Sequence, residues 1–277
     1  MKDYRFLRFP NFKDKALTLS YDDGVVFDKK LISIMDIYGI KGTFNINSEL
    51  FADVEGGRRM TKQEILNLFM DSHHEVALHG AKHLSLSTVP EEIATKDILI
   101  DRINLENMFK KPICGLAYAN GSYDDKVVEI LKNCGVKYAR TTISTGNFNI
   151  PTDWLRMPTT CHHTNPKLME YTTHFLEDES KKYYWSQRPK LFYLWGHSYE
   201  FNDNDNWEII ERFAQMVGNR DDVWYATNIE VYEYIEAFDN LVWGVNGNFI
   251  YNPSAQDVYI EYLGKEILIP TGKTVEV

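Results

Sequence analysis

Three short stretches carry side chains that do chemistry when they are brought together. Asp22 and Asp23 stand side by side before Gly24 in "LTLSYDDGVVFD", where an apolar run breaks off. Two adjacent carboxylates repel and raise each other's pKa unless a cation or a hydrogen bond relieves them. His79 and His83, four apart in "EVALHGAKHLSL", supply the complementary half. In an extended segment their Cα atoms would lie about 13 Å apart, whereas a helical turn brings residues at that spacing to about 5–6 Å. A strand ending at His79, followed by a turn through Gly80, meets the requirement. Two imidazoles and one carboxylate are the protein ligands of an open catalytic zinc site. Either Asp22 or Asp23 can be the carboxylate. Adjacent residues at a strand end point opposite ways unless the backbone turns, as Gly24 permits; one Asp then binds the ion while its neighbour faces the attacking water as a general base. His197 ends another apolar run in "LFYLWGHSYEF" and is a candidate general acid for the leaving group.

Each residue also has a purely structural reading. Asp-Asp-Gly before a helix makes a turn and an N-cap, and a single His packs in a core. What favours chemistry is the elements that position them. "ALTLSY" (16–21), "KGTFNI" (41–46), "EVALHG" (75–80), "ICGLAY" (113–118), "VKYART" (136–141), "KLFYLWGH" (190–197) and "DVWYAT" (222–227) read as buried strands. Amphipathic stretches lie between them, with helix starts at Thr88, Ser122, Asn165 and Asn206. Strand then helix, seven times or so, predicts an α/β fold whose parallel sheet is doubly wound or closed into a barrel. In both architectures the working residues sit at the carboxyl ends of strands, and the carboxylate pair, the histidine pair and His197 share that rim. Beyond residue 238 the pattern alternates apolar and polar, with Asn246-Gly247 as a hairpin signal, so a catalytic domain over 1–238 and a small β appendage over 239–277 are expected.

The 277 residues are 44% apolar, enough for a large core. Forty acidic against thirty basic residues give a net charge of −10, and no Lys/Arg stripe exists to neutralise a phosphate backbone, which excludes nucleic acid as the expected partner. Three cysteines at no metal-like spacing predict free thiols rather than a disulfide framework. "MKDYRFLRFPNFKDK" lacks the apolar stretch of a signal peptide, and no uncharged run is long enough to span a membrane. The expectation is a cytoplasmic protein, or a secreted or cell-surface one if a leader has been removed. Oligomeric state is not legible.

The three motifs, in this order over roughly residues 14 to 230, resemble those of the polysaccharide deacetylases of carbohydrate esterase family 4, the NodB-homology domain. "LTLSYDDG" is similar to the family's first motif, "HGAKH" to its second and "LFYLWGHS" to its last. The resemblance implies a distorted, incomplete (β/α)7–8 barrel and metal-dependent removal of N-acetyl, or O-acetyl, groups from a carbohydrate. It implies Asp22 as base, Asp23, His79 and His83 as ligands of one divalent ion, and His197 as acid. Zinc is the first candidate ion, with Co²⁺, Ni²⁺ or Mn²⁺ as alternatives. The third motif departs from the family: "GLAYANGSYDD" lacks the arginine that orients the base and the prolines beside it. Tyr118 and the amide of Asn120 remain as candidate substrate or oxyanion groups. Arg140 in "YARTT" and Arg156 in "DWLRMP" are candidates to replace the missing arginine, and Trp154 and Trp195 are candidates to stack on sugar rings. Adjacent His162 and His163 are expected to face opposite ways on a strand, and His73 and His74 to form a solvated helix cap. A hydrolase of another C–N bond, such as that of a cyclic amide in the manner of an allantoinase, and a non-catalytic sugar-binding protein are the alternative functions.

Overall fold

The computed structural model describes residues 4–178 and 188–277. Its strands are β1 (Leu7–Arg8), β2 (Lys15–Asp22), β3 (Gly42–Ile46), β4 (Glu75–Leu78), β5 (Gly115–Ala117), β6 (Tyr138–Ser144), β7 (Met157–Thr159), β8 (Cys161–His162), β9 (Lys190–Gly196), β10 (Val223–Tyr225), β11 (Val242–Trp243), β12 (Phe249–Tyr251), β13 (Val258–Tyr262), β14 (Lys265–Ile269) and β15 (Thr274–Glu276). Its helices are α1 (Asp28–Ile37), α2 (Lys62–Phe69), α3 (Glu91–Phe109), α4 (Asp125–Asn133), α5 (Leu168–Phe175), α6 (Ser198–Asp203), α7 (Glu208–Val217) and α8 (Asn228–Asp239). All seven expected strands form. β7 and β8 were not legible, because a Pro-containing triplet and a Cys-His pair carry no apolar run.

β2 is buried along its whole length, as a strand covered on both faces must be. It lies between β3 and β9 in a parallel sheet ordered β7-β6-β5-β4-β3-β2-β9-β8, with β10 also paired to β2. The segment through β7 and β8 bends the sheet round. Thr159 and Thr160 carbonyls accept from Thr145 and Gly146 after β6, while the Thr160 N–H donates to Tyr193 in β9. The result is the distorted (β/α) barrel that the family resemblance implies, one of the two architectures the alternating pattern leaves open. α2 and α8 begin with capping boxes, Thr61 with Glu64 and Thr227 with Glu230. α4 starts from Asp124, whose side chain accepts from the Val127 N–H, rather than from Ser122.

Apolar side chains of β2, β3, β4 and β5 pack outward against the helices in one large core that includes Leu19, Phe44, Leu78 and Leu116. A second core, with Phe9, Ala16, Tyr138, Tyr193 and Tyr234, fills the amino end of the barrel, which α8 closes. The start of α8 is pinned there by buried polar contacts. The Asn228 N–H donates to Thr43 Oγ1 (2.9 Å), and its side chain bonds Thr18 (2.8 Å) and Tyr193 (2.6 Å).

Glu75, at the first position of β4, belongs to the same closure. Its carboxylate accepts from Thr43 Oγ1 (2.8 Å), the Tyr138 hydroxyl (2.8 Å) and the Ile229 N–H (3.0 Å). Burial pushes this carboxyl up from 4.5 to about 7, against those hydrogen bonds. A raised carboxyl binds its proton more tightly in the folded state, so its contribution to stability is lost as pH rises from the unfolded value through the folded one. Glu75→Gln removes that titration. The stability of the variant relative to the parent is expected to improve by on the order of 3 kcal/mol between pH 4.5 and 8. Urea denaturation of both proteins at the two pH values measures it, and a pH-independent difference would refute it.

After α8 the chain builds two small antiparallel sheets, β11-β12-β15 and β1-β13-β14. The second takes in the amino-terminal strand: Leu7 pairs with Ile260, and Arg8 lies 2.6 Å from Glu261. No described helix is long and apolar enough to cross a membrane.

Candidate active site

The turn after β2 separates the two aspartates. Asp23 takes φ +85° and Gly24 φ +63°, so the left-handed turn begins on Asp23 itself and not only at the glycine. A non-glycine residue held there is strained, which is a mark of functional sites. Asp22 points into the barrel and is 2% exposed. Its Oδ2 lies 2.5 Å from Arg140 Nη2, and its Oδ1 accepts from Asn45 Nδ2 at 2.8 Å. Burial alone would raise this carboxyl, but Arg140, with His79, His197 and Asn45, holds it below its usual value. The Arg140 guanidinium stacks over the Trp195 ring at 4.3 Å, a cation–π contact that fixes its plane. Arg140 is not at a strand end: β6 runs on to Ser144, and Arg140 stands level with Ala117 of β5.

Asp23 turns the other way, toward the turn after β4. His79 follows Leu78, Gly80 takes φ +76°, and His83 takes φ +57°. The two rings meet edge to face with centroids 4.8 Å apart. One ligand atom each from Asp23, His79 and His83 falls within 4.8 Å of the others. His79 Nδ1 lies 2.8 Å from the Ala117 carbonyl, to which it donates, leaving the Nε2 lone pair free. Nε2 is buried and has no hydrogen-bond partner, a costly arrangement that a cation resolves. Burial keeps this imidazole below its usual pKa, and therefore neutral as a ligand must be. This donor set fits a divalent ion.

His197 follows Gly196 at the end of β9. Its Nε2 lies 3.8 Å from Asp22 Oδ2 and its Nδ1 3.5 Å from Glu200 Oε1. Burial lowers its pKa, but Glu200 and Asp22 outweigh it and hold the imidazole above its usual value. Glu200 also lies 3.2 Å from His162 Nε2 and 2.9 Å from His163 Nε2. Despite burial, these three imidazoles keep its carboxyl well below the usual range. His162 and His163 therefore converge instead of facing opposite ways, because β8 ends at His162 and the backbone turns there. The Thr164 N–H donates to His162 Nδ1, which puts the ring proton on Nε2, toward Glu200. His73 and His74 also differ from expectation. His74 is buried; its Nδ1 accepts from the Gly42 N–H (3.0 Å), and its Nε2 donates to Asp36 (3.1 Å). With the proton on Nε2, that group is a hydrogen-bonded cap rather than a metal ligand.

Five other expected groups divide. Trp195 lines the site beneath Arg140. Asn120 sits on the rim at φ +56°, its side chain donating to Ser85 Oγ at 3.0 Å. Tyr118 is turned away, its hydroxyl donating to the Leu155 carbonyl (2.8 Å). Arg156 does not reach Asp22: it is held by Asp153 (2.7 Å) and Asp125 (2.6 Å). Trp154 packs edge-on against Tyr232 of α8 in the second core, because the 3₁₀ turn 154–156 aims it inward. It offers no face to a sugar.

Several residues that shape the site were not found from the sequence. Asn45 and Asn47 are two apart at the end of β3, so they share a face; two buried amides in an apolar strand are the signal. Asp97 and Asp101, one turn apart on α3, are carboxylates on a buried helix face. Arg59 comes from an irregular loop and carries no pattern at all.

Residues 10–139 match the family model described as polysaccharide deacetylase. Among solved structures, a Mycobacterium smegmatis protein assigned to the polysaccharide deacetylases superposes with a TM-score of 0.59 at 15% identity, over 84% of this chain and 94% of that one. The PuuE allantoinase gives 0.60 at 11% identity, over 84% and 93%. The Xyl-CE4 domain of a multidomain xylanase from the hindgut metagenome of Trinervitermes trinervoides gives 0.54 at 10% identity, over 80% and 92%. At these identities the likeness is one of fold. A comparison with curated proteins gave no match. The stretch similar to the polysaccharide deacetylase family, residues 10 to 139, holds both the turn with the two aspartates and the turn with the two histidines.

Proposed function

We propose that this protein is a metal-dependent hydrolase that removes acetyl groups from the amine nitrogens of a carbohydrate. The observation that carries the reading is a division of labour between neighbours. Asp22 is buried and held ionised by Arg140 and Asn45, facing His197, while Asp23 is turned to the two histidines. Asp23, His79 and His83 would hold the ion, zinc first among the candidates. Bound there, a divalent ion supplies a Lewis acid that polarises a carbonyl and makes water more acidic.

The chain's own residues do the rest. Asp22 takes the proton of the water that attacks the acetyl carbon, and its bonds to Arg140 and Asn45 keep it from turning away. His197 presents its Nε2 proton to the amide nitrogen as the C–N bond breaks, so the products are acetate and a free amine. Glu200 Oε1, 3.5 Å from Nδ1, favours the protonated imidazole, whose Nε2 stands on the side of Asp22. Trp195 braces Arg140 from below.

The test is product identity. Metal-loaded protein is incubated with N-acetylated glucosamine oligomers and peptidoglycan fragments, and acetate and ammonia are both assayed. Acetate in equal amount to new amine is expected, with loss of turnover after dialysis against a chelator and recovery on adding zinc. Release of ammonia or a carbamoyl acid without acetate would assign a different C–N bond. Tight sugar binding without turnover across several added metals would make the protein a binding module.

A further inference from the structure

The three ligand side chains of the proposed metal site come from two separate loops, and something must hold those loops in register. Asn47, 1% exposed at the end of β3, touches both. Its Nδ2 donates to the carbonyls of His79 (2.9 Å) and Gly80 (2.8 Å), the first two residues of the histidine turn. Its Oδ1 accepts from Arg59 Nη1 at 3.1 Å. The same guanidinium grips the other loop, donating to the Asp23 carbonyl at 2.5 Å and lying 3.1 Å from Asp23 Oδ1. A continuous chain of bonds therefore runs from Asp23 through Arg59 and Asn47 to His79. The far side of the histidine turn is held by α3. Asp101 accepts from the N–H groups of His79 (3.0 Å) and Ser48 (2.9 Å), and Asp97 accepts from the Lys82 N–H (3.0 Å).

We propose that Asn47 is a positioning residue that presets the metal triangle, joining the Asp23 loop to the His79–His83 turn before an ion arrives. The inference rests on the reading of Asp23, His79 and His83 as ligands. Asn47 donates no atom to that set; it acts through Arg59 and through the turn's carbonyls. No other side chain at this position does both jobs with one group. The amide offers two donors to the turn and an acceptor to Arg59, whereas a carboxylate would put an acceptor where the two carbonyls need donors. The strain at Asp23 (φ +85°) and His83 (φ +57°) shows why a brace is required: left alone, both residues relax out of the left-handed region and the triangle opens.

Competition of metal-free protein with a chromogenic chelator for zinc measures affinity without reference to activity. Wild-type protein is expected to bind one equivalent through this site. Asn47→Ala and Asn47→Asp are expected to bind it about 10–100-fold more weakly, as loss of an outer partner of a metal ligand does. Turnover of the variants should recover toward the wild-type kcat at saturating zinc, because ligands, base and acid are all retained. Arg59→Met, a change at a partly exposed side chain, breaks the same chain of bonds from its other end and should weaken zinc in the same range if the Asn47 variants fail to fold. Unchanged zinc affinity in folded variants, with wild-type protein binding normally, overturns the role of Asn47 alone. Wild-type protein that binds no zinc overturns the ligand assignment, and this inference with it.

Discussion

Asp22→Asn is expected to lower kcat by about 10²–10⁴-fold while leaving zinc content at its wild-type level. The two halves of that result test two halves of the site. Loss of turnover reports the base, and retained zinc reports that Asp23, His79 and His83 are enough to hold the ion. The substitution is well suited to the question because asparagine keeps the shape of the side chain and removes its charge and basicity. An asparagine at 22 retains one oxygen, able to accept either from Asn45 Nδ2 or from Arg140 Nη2, the two donors that hold Asp22. The change leaves the buried Arg140 charge without its carboxylate, so the variant should keep the parent's fold by circular dichroism but be less stable to urea. Turnover within tenfold of the parent would refute Asp22 as the base; zinc lost along with activity would place Asp22 among the ligands.

The second large effect falls on stability. Arg140 and Asp22 form an ion pair in which both side chains are almost fully buried, 1% and 3% exposed. Such a pair adds little net stability over an apolar pair, but removing one partner leaves a charge stranded in a low-dielectric interior. Arg140→Met, similar in volume and able to lie on Trp195, is expected to cost about 3–5 kcal/mol. In an Asp22→Asn background the same change should cost much less, because no charge is left unpaired. A double-mutant cycle by urea denaturation measures the coupling. Equal costs in the two backgrounds would mean that Arg140 acts through packing on Trp195 and not through the carboxylate. Arg140→Lys is not a conservative control, since an ammonium neither stacks flat on the indole nor forks toward a carboxylate.

What could be read from the sequence was whatever depends on strand ends. The seven apolar runs located the sheet, and a parallel sheet puts every strand's carboxyl end on one rim. That is how Asp22, Asp23, His79, His83 and His197 could be gathered without coordinates, whereas Arg140 reaches Asp22 from within β6. What could not be read depends on direction at turns and on contacts between distant segments. Trp154 is a candidate sugar platform by residue type alone; a 3₁₀ turn points it into the core, and no local pattern announces that. Arg156 has the same residue type as Arg140 and stands on a neighbouring segment, yet Asp153 and Asp125 satisfy it outside the site. His162 and His163 were separated on the premise that a strand continues, and it ends between them. Asn45 and Asn47 were overlooked inside "KGTFNINSEL", although two amides at alternate positions of a buried strand must have partners. The sheet at the carboxyl end was visible as alternation, but its pairing with Leu7–Arg8 joins segments that no short window spans.

That pairing bears on how the molecule is made. Arg8 and Glu261 are 253 positions apart, and Leu7 finds its partner only in the strand at Val258–Tyr262. During synthesis β1 has no strand to add to until β13 has emerged. Phe9 likewise packs on Tyr234 and Trp224, which also lie far along the chain. Chains that stop short of β13 therefore leave β1 unpaired, and proteases should trim such chains near residues 7–9, which the complete pairing protects.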